Sequence, residues 1–352
     1  MEESAAPKHS FCQRLILEHS AATASFSFLV AVGVLKTLLT KLIFTRSPTP
    51  VAFSVLSCLA TNICLLPILL VRGEFTYLSK EMIPSFVGIC FAIALDLGCQ
   101  NVALAILSIA LQQSLKATLP TATVVVESIV RRKTFHWAIY VTVAAICVGP
   151  ILVACQSSWQ PKLESAAGSQ VVGAIMMLVA MVGGAFKYVL CHKAIKDFRE
   201  QMGVLAFTFW VEVFVGLMLL PWAVINGEVY KMVTTDQNIA DWVLLWFTAA
   251  FGGVRIIAQF YFLANTSATS LAISGIAMQA LTIVIGIFAF GTPITALLVI
   301  GVTCTVLTSS LYTYLKTSIV LKPTKPRTDV PARVMASADK EDRIGLKQAD
   351  DA

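Results

Sequence analysis

Four basic side chains sit inside stretches otherwise built from apolar residues: Lys36, Lys116, Lys187 and Arg255. A charge at the centre of a bilayer costs roughly 2.5–3.5 kcal/mol even on the mildest insertion scale. Such residues face a bundle interior or a water-filled cavity. Lys116 is the most informative of them. It stands one turn after Gln112 and Gln113 and one turn before Pro120, within LSIALQQSLKATLPTATVVVESIVRR. Proline has no amide hydrogen to donate, and its ring crowds the preceding turn, so a carbonyl near 116–118 is freed and a bend is favoured. A cation beside an interrupted helical ladder suits the binding of an anion. The competing reading is a structural lysine that snorkels or pairs with a carboxylate.

Other polar residues share helical faces with these cations. Arg255 and Gln259 are four apart, as are Asp96 and Gln100, so each pair lies on one face. The planar guanidinium of Arg255 suits bidentate contact with phosphate or carboxylate. A salt bridge from Arg255 to Glu212 or Asp96 is the alternative. Lys187 is followed by Tyr188 and preceded by Gly183 and Gly184, small residues that let helices approach closely. Asp96 is expected to pair with a buried lysine, which lowers the cost of both charges. Glu212 has no assigned partner. Deep cations outnumber deep acids, and that excess favours an anionic ligand.

These residues are carried by apolar runs long enough to span a bilayer. They fall near 21–44, 49–71, 83–104, 107–130, 136–155, 168–191, 204–225, 242–264, 270–290 and 295–315. The chain is 57% hydrophobic and 13% charged, where a soluble domain is about a quarter charged. The expectation is an all-α polytopic membrane protein of ten transmembrane helices. Basic residues cluster in alternate loops (Arg72 and Lys80; Arg131, Arg132 and Lys133; Lys193, Lys196 and Arg199) and in both terminal segments. The opposite side holds only Arg46, Lys162 and Lys231. By the positive-inside rule both termini face the cytosol. Five spans in each half is an odd number, so the second half enters from the opposite side, as in an inverted repeat. The predicted organisation is a cytosolic arm over 1–20, a five-helix repeat over 21–155, a luminal linker over 156–167, a second repeat over 168–315 and a disordered cytosolic tail over 316–352.

The nine cysteines are scattered, and no pair has metal-ligand spacing. No His-Glu-x-x-His motif, paired aspartates or Ser/His arrangement occurs, so no catalytic residue, metal or cofactor is expected. The basic residues lie in loops and a tail and not on one folded face, which argues against nucleic acid as a partner.

LTKLIFTRSPTPVAFS, LSIALQQSLKATLPTATVVVE, AFKYVLCHKAI and NTSATSLAISGIAMQALTIVIGIFAFGTPIT together resemble the triose-phosphate and nucleotide-sugar translocators of the drug/metabolite transporter superfamily, over about 25–315. The resemblance implies two inverted five-helix repeats around a central cavity, with Lys116 as the substrate-site lysine of the fourth helix. Lys187 stands where the family usually has arginine. The family's Lys-Arg pair on the ninth helix is here Met278 and Gln279, its third-helix His and Thr are Leu97 and Gln100, and its eighth-helix Tyr is Arg255. The candidate binding residues are therefore Lys116, Arg255, Gln100, Gln112, Gln113, Lys187, Tyr188, Gln259 and Gln279. The implied function is alternating-access antiport of a nucleotide sugar or sugar phosphate against phosphate or a nucleoside monophosphate, in the Golgi or another endomembrane. A homodimer is left open. A carrier of unphosphorylated metabolites is the alternative, suggested by the lost Lys-Arg pair. An intramembrane enzyme and a receptor are the readings from other classes.

Overall fold

The computed structural model describes residues 11–119, 122, 125–126, 137–158, 167–198, 201–235, 238–265, 268–291 and 294–320. Every regular element among them is a helix. In chain order they are α1 (Phe11–Arg46), α2 (Pro50–Arg72), α3 (Ile83–Ile106), α4 (Ile109–Lys116), α5 (Trp137–Ser158) and α6 (Ala167–Asp197). There follow α7 (Val204–Ile225), α8 (Glu228–Thr234), α9 (Ile239–Asn265), α10 (Ala268–Phe290) and α11 (Ala296–Val320). Six stretches among the described residues are long and apolar enough to cross a membrane: Ala24–Arg46, Pro50–Arg72, Ile83–Ile106, Gly168–Tyr188, Val204–Ile225 and Ile239–Leu263. Shorter apolar stretches occupy Trp137–Val153, Ser274–Phe290 and Ala296–Tyr312. The chain is a polytopic α-helical membrane protein. Its large exposed apolar side chains, such as Leu59, Ile63, Leu70 and Val71 on α2 and Val172, Ile175 and Val179 on α6, are the faces a bilayer covers. Met1–Leu315 is one compact unit and Lys316–Ala352 a second, described only at the end of α11.

Several boundaries depart from the sequence reading. α1 begins at Phe11, inside the segment expected to be an arm, because Leu15, Ile16 and Leu17 continue the helix and the nearest breaker upstream is Pro7. α11 runs to Val320, past the expected start of the tail. The short helix α8 was not expected; Gly227, at φ 68°, turns the chain into it from α7. The fourth span is not one continuous helix. α4 ends at Lys116, where the Thr118 amide bonds instead to the Leu115 carbonyl at 3.0 Å. Ser309 Oγ on α11 donates to the Ala117 carbonyl at 3.4 Å. Expectations that involve Pro120, Arg131, Arg132, Lys133 and Lys162 lie outside the described residues, as do the side chains of Glu127, Lys193 and Arg199.

Helix ends follow from local chemistry. α2 starts at Pro50, whose missing amide costs nothing in a first turn. It stops at Gly73, which adopts φ 65° and bonds back to Leu69 and Leu70. α4 starts at Ser108, whose side chain accepts from the Leu111 amide at 3.3 Å.

The packing has a regularity. Setting α8 aside, the expected spans one to ten correspond to α1–α7 and α9–α11. Many packed pairs then recur when both members are shifted by five spans. α3 packs on α6, and α1 on α9. α2 packs on α9, and α3 on α7. α1 packs on α10, and α4 on α6; α2 packs on α3, and α7 on α9. The pairs α2–α7 and α4–α10 map onto themselves. Close crossings use glycine. A Cβ on Gly183 of α6 would strike the Ala92 carbonyl of α3, and one on Gly149 of α5 would strike the Gly301 carbonyl of α11.

Candidate functional site

The deep charges come from separate helices. Lys187 on α6 forms an ion pair with Asp96 on α3 at 2.5 Å, the two side chains being 11% and 15% exposed. The close crossing brings the two together: a Cβ on Gly184 would lie 3.3 Å from Asp96 Oδ1. Lys187 Nζ also sits 5.1 Å from the Tyr188 ring centroid, a cation–π arrangement. Asp96 thus has the lysine partner expected of it, and part of the Lys187 charge is already met.

The other three cations differ. Lys36 on α1 is 4% exposed and Lys116 at the end of α4 is 8% exposed, while Arg255 on α9 is half-buried. Among the described residues no carboxylate pairs with any of them. The salt bridge considered for Arg255, to Glu212 or Asp96, is therefore not formed. Lys36 Nζ lies 6.0 Å from the Phe53 ring centroid. Its Cε rests beside Gly252, one turn before Arg255. Lys36 thus meets the helix that carries Arg255 one turn before the guanidinium. Lys116 also closes α4 at its C-terminal end, where the helix dipole favours a cation.

The candidate amides divide in the same way. Gln113 Nε2 donates to Gln112 Oε1 at 2.5 Å, and Gln112 Nε2 faces Met177 Sδ at 3.9 Å. Both glutamines are almost fully enclosed, so this pair is turned into the α4–α6 contact. Gln279 on α10 is buried, and its Oε1 has no partner. Gln100 on α3 and Gln259 on α9 are buried. Glu212 on α7 is 1% exposed with Oε1 unpartnered. Ser114 Oγ on α4 is likewise buried and unpartnered. Met278 Sδ fills the notch at Gly33 on α1, so the residue matching a family cation is packing in this chain.

Three polar devices at one end of the bundle escaped the sequence reading. The Lys41 ammonium donates to the carbonyls of Leu104 at 2.8 Å and Leu107 at 2.7 Å, capping the end of α3. Glu228 Oε2 accepts the amides of Val51 at 2.7 Å and Ala52 at 3.0 Å, capping the start of α2. Arg46 pairs with Asp241 at 2.6 Å on the surface. In addition, Asn101 Nδ2 donates to Ser54 Oγ at 2.7 Å and ties α3 to α2. Each partner is distant in sequence, so no local pattern announces it. The only available signal was the orphan backbone groups that every helix end carries.

The model of the EamA-like transporter family matches residues 171–314, which cover most of α6 to α11. A probable sugar phosphate/phosphate translocator of Arabidopsis thaliana is 24% identical over 219 residues, covering 61% of this chain and 68% of that protein. UDP-uronic acid transporter 1 of Arabidopsis thaliana is 25% identical over 210 residues, covering 59% of this chain and 65% of that protein. A solved crystal structure superposes with a TM-score of 0.52 at 16% identity, over 84% of this chain and 99% of that one; it speaks to fold alone. The family resemblance read from the sequence is borne out, and the matched proteins are carriers and not enzymes.

Proposed function

We propose that this chain, whose residues 171–314 match the EamA-like transporter family, is a transporter that carries a phosphorylated organic anion, a sugar phosphate or nucleotide sugar, by alternating access. The observation that carries this reading is the trio Lys36, Lys116 and Arg255, basic residues from three helices, the first two buried and the third half-buried, with no carboxylate partner among the described residues. Uncompensated charge in a membrane interior is costly and is retained where it binds something. Lys116 and Arg255 act as a two-point clamp on the phosphate or diphosphate. Gln279, Gln259 and Gln100 meet the sugar hydroxyls. Lys187 and Tyr188, held by Asp96, shape the α3–α6 wall. Gln112 and Gln113 fix the approach of α4 to α6.

The architecture in this proposal is ten spans in two inverted five-helix repeats, 21–155 and 168–315. Its support is the set of packed pairs that recurs on shifting by five spans. Such repeats place substrate between the halves near the midplane. Exchange runs against phosphate or a nucleoside monophosphate, in the Golgi or another endomembrane with both termini cytosolic. The test is counter-flow into liposomes loaded with phosphate or a nucleoside monophosphate, against a panel of sugar phosphates and nucleotide sugars. Uptake of at least one, lost in Lys116→Ala, is expected. No uptake of any would overturn the reading.

A second reading is a carrier of unphosphorylated metabolites. It is favoured by one feature, the replacement of the expected α10 cations by Met278, which packs at Gly33, and by the neutral Gln279. Uptake of a neutral sugar that phosphate does not compete away would select it.

A further inference from the structure

The crossings α3–α6 and α1–α9 are related by the five-span shift, yet their chemistry is opposite. In the first, a lysine meets an aspartate, Lys187 with Asp96. In the second, Lys36 meets the helix of Arg255 at Gly252, one turn before the guanidinium. Two basic residues share the crossing where the equivalent one has an ion pair. Like charges withdrawn from water repel, and the cost is relieved when an anion comes between them or when a lysine gives up its proton. The protein does not supply that anion at contact distance. Glu212, buried on α7, makes no ion pair among the described residues, and its Oε1 is unpartnered. α10 adds no further charge here, because Met278 occupies the notch one turn before Lys36.

We infer that Lys36, together with Arg255, binds a second anionic group of the substrate, a carboxylate or second phosphoryl beyond the phosphate held at Lys116. This rests on the reading of the chain as a carrier of phosphorylated sugars. It assigns a contact to a residue outside the clamp, and it restricts the substrate class to sugar derivatives with two anionic centres. The guanidinium of Arg255, with its five donors, is suited to touch both groups.

The test compares substrates that differ by one charged group: glucose 1-phosphate with glucuronate 1-phosphate, glucose 1-phosphate with glucose 1,6-bisphosphate, and UDP-glucose with UDP-glucuronate. The full chain is reconstituted, and initial uptake is measured over a concentration range. The wild-type protein should prefer the more charged member of at least one pair by about tenfold or more, the worth of one charge-assisted hydrogen bond. The carboxylate and bisphosphate arms identify which group is taken. Lys36→Met should bring that ratio close to one through a rise in KM for the more charged member. Lys36→Arg should retain most of it. Methionine nearly matches the stem and removes an unpaired charge, so the melting temperature of Lys36→Met in detergent should equal or exceed that of the wild type. A lower melting temperature, with the ratio intact, would make Lys36 structural and overturn the inference. Absence of any preference in the wild type would overturn it too. If the wild type moves none of these compounds, the underlying reading of the chain fails as well.

Discussion

Breaking the Asp96–Lys187 pair one side at a time should cost far more than removing both partners. The two side chains are 11% and 15% exposed, so neither has enough water to compensate a lost partner. Gly183 and Gly184 hold α3 and α6 at a distance that allows no side chain to relax into the space. Removal of one member of a buried pair typically costs about 3–5 kcal/mol, whereas replacing both with neutral groups of similar volume is often near neutral. Asp96→Asn and Lys187→Met should each fall in that range, and the double variant should recover most of the loss. A coupling of about 3 kcal/mol or more is the expected result of the cycle. The assay is unfolding in mixed micelles titrated with sodium dodecyl sulfate, read by tryptophan fluorescence. Singles that each cost less than about 1 kcal/mol, the worth of an exposed pair, would refute the reasoning. Uptake by the stable double variant then separates roles. Full activity would remove Lys187 from the substrate site, and lost activity in a stable protein would keep it there.

Glu228→Ala should destabilise the protein by about 2–4 kcal/mol in the same assay, since it strips two charge-assisted bonds from the start of α2; Glu228→Gln should recover about half. Arg255→Tyr should lose anion uptake, and adding Met278→Lys and Gln279→Arg should restore part of it, because Lys replaces Met278 with a stem of similar shape beside Gly33. Full activity of Arg255→Tyr alone would remove the clamp. Tags placed at residues 1 and 352 should both be reachable by antibody after selective permeabilisation of the plasma membrane; protection of either one would reverse the topology.

Apolar helices resemble one another by composition, and this sets what could be read from the sequence. Six of the expected spans were legible because length and hydropathy specify them. The lysine partner of Asp96 was foreseeable on cost alone, and Gly183 and Gly184 marked the crossing that brings it. The end of α4 at Lys116 was legible only in part: Pro120 signalled a break, but not that the helix would stop at the lysine. α8 was missed because seven residues give too little periodicity. The roles of Lys41 and Glu228 escaped notice for a different reason. Each looks like a charge near a span end that reaches for water, yet each is bound to backbone from another helix. A sequence shows the charged group and not the orphan carbonyl or amide that tertiary packing delivers to it.

The distribution of met and unmet polar groups points the same way as the charges. At the bundle ends the charged groups are met, although the buried hydroxyls of Thr49 and Thr76 have no hydrogen-bond partner. Lys41 and Glu228 fill the backbone positions left open by α3 and α2, and Arg46 has Asp241. Deeper in the bundle, among the described residues, Lys36, Lys116 and Arg255 lack carboxylates, and Ser114 Oγ, Glu212 Oε1 and Gln279 Oε1 have no hydrogen-bond partner. Each such buried oxygen costs about 1–3 kcal/mol. A single apolar metabolite would leave all of these unmet. Inorganic phosphate would answer the cations and leave Gln279 and Glu212, both acceptors at these oxygens, without donors. A phosphorylated sugar brings the complementary set, anionic oxygens for the cations and hydroxyl donors for the acceptors. The deficit in the protein therefore has the inverse composition of the proposed substrate, and it is carried by α1, α4, α7, α9 and α10, elements drawn from both halves of the chain.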